Sequence, residues 1–202
     1  MKAEITEIFK DPIYKSNLNR PFSNKEKLTF KNCSKNLVLN IGNNTSKNKF
    51  ILNEKPLLKL KKELEIHLNN FIKDILRYKD ISIYITQSWL NITEKNQYHH
   101  PHSHPNSFLS GVLYIEADSK IDSIIFQKID FKTFEPEPYE YNPYNAKAWE
   151  IMVGSGDVVI FSSHLTHKVK YKNDDNKRIS LAFNSFLKGK IGSVNNLSEL
   201  KL

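Results

Sequence analysis

Apolar residues from Pro56 to about Tyr78 recur at spacings of three and four, at Leu57, Leu60, Leu64, Leu68, Phe71, Ile72 and Ile75. That period places them on one face and predicts an amphipathic helix over about 56–78, with Pro56 suited to its first turn. Residues 1 to about 54 are polar and rich in Asn and Lys, with short apolar pieces such as Leu37-Val38-Leu39 and a turn-like run from Gly42 to Ser46. Beyond the helix the period changes to two. Ile81, Ile83 and Ile85 alternate with polar residues and lead to Trp89. Further strands are expected over Phe108 to Ile115, Ile124 to Ile129, Trp149 to Val153, Val158 to Phe161, His167 to Tyr171 and Ile179 to Phe186. Many short strands separated by turn residues argue for a sandwich or a barrel. The stretch from Phe134 through Glu135 to Asn145, with Tyr139, Tyr141 and Tyr144, reads as a long loop, the usual place for binding contacts. The expected organisation is a single domain: an N-terminal extension over 1–80, a β core over 81–190 and a tail over 191–202.

Composition narrows the class. A chain of 202 residues can bury one sizeable core, and no stretch approaches the roughly 20 apolar residues that span a bilayer. The start, Met1-Lys2-Ala3-Glu4-Ile5, lacks the apolar run of a signal peptide, and a single cysteine, Cys33, cannot form an internal disulfide. Both fit a cytoplasmic location, with Cys33 structural or incidental. Thirty Lys and Arg against 22 Asp and Glu give a net charge of +8. The basic residues are scattered with no run of five, and the abundance of Lys, Asn and Ile matches AT-rich coding, so charge supports a nucleic-acid partner only weakly.

Three segments carry chemistry. In His99-His100-Pro101-His102-Ser103-His104, an extended backbone puts His102 and His104 on one face, where two imidazoles could share iron, zinc or copper. A solvated histidine-rich loop would have the same sequence. Pro101 is expected to break the alternation and leave His99 and His100 as alternative ligands or supporting donors. In Gly154 to His167 a glycine-led strand ends in a polar loop. His167 then opens the next strand, with Lys168 and Lys170 marking the outward face and His167, Val169 and Tyr171 the inward one. In Arg178-Ile179-Ser180-Leu181-Ala182-Phe183-Asn184, period two separates Arg178, Ser180, Ala182 and Asn184 from an apolar face. An inward Arg178 would need an anion, and a guanidinium with a hydroxyl suits a carboxylate; an edge strand meeting water is the alternative. Trp89, Ile83 and Ile85 are read as barrel packing.

Together these segments resemble the 2-oxoglutarate/iron(II)-dependent oxygenase superfamily. The closer resemblance is to a little-characterised oxygenase family of phages and bacteria. It rests on Trp89-Leu90-Asn91, His102-x-His104-Pro105-x-Ser107-x-x-Ser110-Gly111-Val112-x-Tyr114, Gly156-Asp157, His167-x-Val169 and Arg178-Ile179-Ser180-x-x-Phe183-Asn184. The match spans roughly residues 81 to 190. It implies a mainly β, double-stranded β-helix (cupin or jelly-roll) barrel with an N-terminal helical support. It also implies Fe(II) on His102, His104 and His167, and 2-oxoglutarate on Arg178 and Ser180 with Tyr114 and Ser110 adding hydrogen bonds. The reaction implied is an O2-dependent hydroxylation that releases succinate and CO2, on a substrate the sequence does not name.

The chain departs from the superfamily at position 104, where histidine replaces the usual carboxylate. Three neutral imidazoles leave a divalent ion its full double charge. That also suits a cupin-like three-histidine dioxygenase or a zinc hydrolase working without 2-oxoglutarate. A metal-free carboxylate-binding module is a further alternative.

Overall fold

The computed structural model describes residues 3–129, 134 and 136–202. Met1, Lys2 and Glu135, which entered the sequence argument, lie outside the described residues. The elements in chain order are β1 (Tyr14–Asn17), α1 (Asn24–Cys33), β2 (Leu37–Leu39), β3 (Asn44–Ser46), α2 (Leu58–Asn70), β4 (Ile81–Thr93), β5 (His99–His102), β6 (Leu109–Glu116), β7 (Ser123–Gln127), β8 (Ala148–Met152), β9 (Asp157–Ser162), β10 (Thr166–Val169), β11 (Arg178–Ile191) and β12 (Leu200–Lys201).

The strands form two antiparallel sheets. The major sheet runs β1-β9-β6-β11-β4-β3-β2, with β12 added to the end of β11; the minor sheet runs β5-β10-β7-β8. From β4 to β11 the chain changes sheet at every step except from β7 to β8, which is the winding of a double-stranded β-helix. The register sorts the faces, because directly opposed residues project to the same side. Ser180 lies opposite both Asn91 and Tyr114, and Ala182 opposite both Trp89 and Val112. These residues face the barrel interior with Tyr114, Ile124, Phe126, Val153, Val159 and Phe161, which form the smaller core.

The opposite face of the major sheet carries Leu90, Leu113, Leu181 and Phe183, which pack on the stripe Leu57, Leu60, Leu64, Leu68 and Phe71 of the helical support. Apolar residues every three or four positions thus cover one face of the sheet, as the sequence pattern predicts. The helical stretch itself is composite. It begins with a 3-10 turn at Lys55–Leu57 and ends in a π-helical turn at Phe71–Ile75, short of the expected Tyr78.

Several expectations require correction. The segment before residue 54 holds three strands of the major sheet and a helix, α1. A capping box starts α1: Ser23 accepts from the Glu26 N–H while the Glu26 carboxylate accepts from the Ser23 N–H. The tail carries β12, and β11 runs on to Ile191. A bulge at Thr86, across from the Asn184–Ser185 step of β11, interrupts the simple alternation along β4. The strand begun by His167 stops at Val169, so Tyr171 is exposed rather than inward. Pro101 stays within β5, which lies at the edge of the minor sheet, where a missing N–H costs no ladder bond; the register slips between His99 and His102, so the alternation breaks there as expected.

Candidate metal and carboxylate site

The three expected ligands meet. The ligating nitrogens available on His102, His104 and His167 lie within 4.8 Å of one another. His102 ends β5 and His167 sits directly across from it on β10. His104 lies past the end of β5 rather than on the strand. It is held by its backbone N–H donating to the Ser163 carbonyl at 2.9 Å. Strand alternation therefore does not bring His102 and His104 together; the turn after β5 does.

Hydrogen bonds select the tautomers. Nδ1 of His102 donates to the His100 carbonyl at 2.8 Å, and Nδ1 of His167 donates to the Leu165 carbonyl at 3.0 Å. That leaves Nε2 of each as the lone-pair nitrogen, the arrangement metal-binding histidines require. Burial pushes His167 down to about 3 and His104 down to about 4, both from 6.5, with the neighbouring His102 adding to each. Burial also lowers His102, against the opposing bond to the His100 carbonyl. Neutral imidazoles with exposed lone pairs fit a transition-metal ion.

A second trio, His99, His100 and His102, has its nitrogens equally close. His99 stacks on His102 with ring centres 4.4 Å apart, and its Nε2 accepts from the Asn40 amide at 3.1 Å. Near-parallel rings do not aim their in-plane lone pairs at one point, so His99 serves as packing for His102. Burial holds His99 at about 2.

Arg178 lies at the start of β11, 4% exposed, with its guanidinium carbon 5.5 Å from the centre of the Tyr114 ring. One arm, Nη1, donates to the Ser123 carbonyl at 2.8 Å, while Nε has no partner. Among the described residues no carboxylate pairs with it. A buried guanidinium with spare donors and no counter-ion is costly unless an anion joins it. Two more buried polar atoms nearby lack partners, the Tyr114 hydroxyl and Asn91 Oδ1. Both residues face the same interior strip as Arg178 and Ser180. Burial, opposed by the Arg178 charge, raises the Tyr114 hydroxyl to about 12, so it stays a donor. A bound carboxylate would satisfy donors on Arg178 and Tyr114, and the residues present fit one.

One expected member behaves differently. The Ser110 hydroxyl is engaged with Ser163 at 2.8 Å and Asn184 Oδ1 at 3.1 Å, so it braces the wall. Trp89, read as barrel packing, is partly buried. It faces the interior, with its ring centre 5.9 Å from that of His104. Ile83 and Ile85 are core, as expected.

Sequence reading assigned no role to Asn91, although its place opposite Ser180 follows once β4 and β11 are paired. It also missed the buried pair Lys172–Asp122, at 3.1 Å and each 5% exposed, which flanks Arg178 around a cavity of about 20 Å³. No local signal marks Lys172 as buried.

Comparison with known proteins agrees with this geometry. Residues 87–184 match the family model described as "Putative 2OG-Fe(II) oxygenase". No curated protein matches the chain in sequence. Among solved structures, a 2OG-Fe(II) oxygenase family oxidoreductase from Burkholderia pseudomallei is similar, with a TM-score of 0.57 and 12% identity over 86% of this chain and 83% of that one. HygX from Streptomyces hygroscopicus, solved with nickel, 2-oxoglutarate and hygromycin B bound, gives 0.56 and 13%, covering 87% and 82%. A prolyl-4-hydroxylase from Pseudomonas putida gives 0.55 and 11%, covering 86% and 92%. At such identities the neighbours establish the fold, and it is the segment holding His102, His104, His167 and Arg178 that matches the 2OG-Fe(II) oxygenase family.

Proposed function

We propose that the chain is a 2-oxoglutarate- and Fe(II)-dependent dioxygenase that hydroxylates its substrate with release of succinate and CO2. The observation that carries this is the pairing of a three-histidine cluster with a buried, counter-ion-free arginine inside one barrel. Here His102, His104 and His167 would hold the iron through Nε2, their Nδ1 protons being committed on His102 and His167. Arg178, with Ser180 and the Tyr114 hydroxyl, would take the far carboxylate of 2-oxoglutarate, and Asn91 lies opposite Ser180 on the same strip. When bound, iron and 2-oxoglutarate supply the oxidising power, by reducing O2 as the keto acid is decarboxylated. Phe126 and Phe161 pack against the His167 ring and keep bulk water from it. Ser110 holds Asn184 and Ser163 in place.

Anaerobic addition of Fe(II) and 2-oxoglutarate should produce a visible charge-transfer band. His167→Ala should abolish it, and Arg178→Ala should weaken 2-oxoglutarate binding by about 30-fold or more, the loss expected for a hydrogen-bonded charge pair. The all-imidazole donor set favours one other reading, a zinc site that activates water for hydrolysis. Tight zinc binding without any such band would replace the first reading by the second.

A further inference from the structure

A row of side chains leads away from the histidine trio across the inner face of the minor sheet. His102 on β5 is opposite His167 on β10, His167 is opposite Phe126 on β7, and Phe126 is opposite Trp149 on β8. Directly opposed residues share a face, so the four form one continuous rung. From His167 outward exposure rises, from 5% there through 8% at Phe126 to 50% at Trp149. The rung ends in a cavity of about 890 Å³ whose walls include Phe126, Leu165, Trp149 and Ile151. Leu165 also supplies the carbonyl that orients His167. The cavity and the trio therefore share two walls.

The far side is built from segments outside the barrel strands: Tyr144 from the long loop, and Phe9 from the N-terminal stretch. Phe9 has a left-handed backbone (φ 55°), costly for an aromatic residue, and its ring is fully exposed at the rim. Charged groups at the rim are engaged, Lys128 and Lys147 of the lining included. Lys10 pairs with Glu7, which also accepts from the Tyr144 hydroxyl, and Asp11 faces His164. Ring faces and aliphatic surface are what such a wall offers a ligand. The volume suits a molecule well beyond a single amino acid. A polyanion would find paired charges where it needs free cations.

We infer that this cavity binds the primary substrate, an extended, largely uncharged molecule with an aromatic or fused-ring face that stacks on Trp149 and reaches over Phe126 toward the histidines. The inference rests on the oxygenase reading above. The probe is 6-fluoro-2-naphthol, added to the full chain and followed by its own fluorescence and by 19F NMR. Trp149→Ala should weaken its binding about tenfold or more, while Trp149→Phe, which keeps a ring, should recover most of the affinity. Both variants should retain the Fe(II)–2-oxoglutarate band. Mn(II) bound at the trio, with occupancy checked by its loss in His167→Ala, should broaden the bound 19F signal. Absence of naphthol binding, equal affinity in Trp149→Ala, or a bound signal that Mn(II) leaves sharp would overturn the assignment. Trp149-dependent, Mn(II)-broadened binding without any charge-transfer band would support the cavity and defeat the oxygenase reading alone.

Discussion

Each histidine of the trio is held uncharged by its surroundings, and that has a consequence for pH. In the unfolded chain these imidazoles accept a proton near 6.5, whereas in the fold His104 does so at about 4 and His167 at about 3. Between those values the unfolded chain binds more protons, so stability is full above about 6.5 and falls as acid is added. The slope can reach about 1.4 kcal/mol per pH unit for each group. Urea midpoints of metal-free protein should drop steadily from pH 7 to pH 4, and His167→Asn should flatten that drop. A midpoint independent of pH would contradict the burial of these rings. At the same scale the orphaned Arg178 and Tyr114 atoms were foreseeable only in part. Their alternation faces were legible, but the lack of counter-ion follows from what the fold brings near.

Elements show how local chemistry and packing divide the work. The capping box at Ser23 and Glu26 starts α1, and Arg20 then ties Glu26 to Glu63 of α2. Burial alone would raise the Glu26 carboxyl, but its bonds from Arg20 and Ser23 prevail and lower it. Ser23→Ala should cost about 1 kcal/mol of unfolding free energy, read by chemical denaturation. Gly111 on β6 lies opposite Phe183 on β11, and a methyl there would sit inside the Phe183 ring, which is 1% exposed. Gly111→Ala should therefore cost at least about 1–3 kcal/mol by the same measurement, since the ring has nowhere to move. The strands from β4 to β11 were read correctly from the sequence, yet their ends were not, and β1, β2, β3 and β12 were missed. Tyr171 alternates in sequence with His167, but the ladder stops before it because the chain leaves the sheet to place Lys172 against Asp122.

For the molecule as a whole, the extension before the barrel is built into the same sheet. Strand β1 pairs with β9, β3 pairs with β4, and α2 covers the outer face of β4, β6 and β11. We infer that extension and barrel unfold together. Far-ultraviolet dichroism and tryptophan fluorescence should then give coincident denaturation curves, whereas two separated transitions would show independent units. No helix among the described residues is long and apolar enough to cross a membrane.

Composition and periodicity determined the helix stripe and the run of short strands from β4 on, and marked the histidines as candidate ligands, because side-chain period and donor chemistry are local properties. Only the tertiary structure decided how they meet. The turn after β5 swings His104 back to His102, β10 carries His167 across from it, and Trp149 joins the same rung from a strand 47 residues after His102. Such contacts depend on register between strands distant in sequence, and hydrogen-bond pairing across a sheet leaves no mark on either strand read alone.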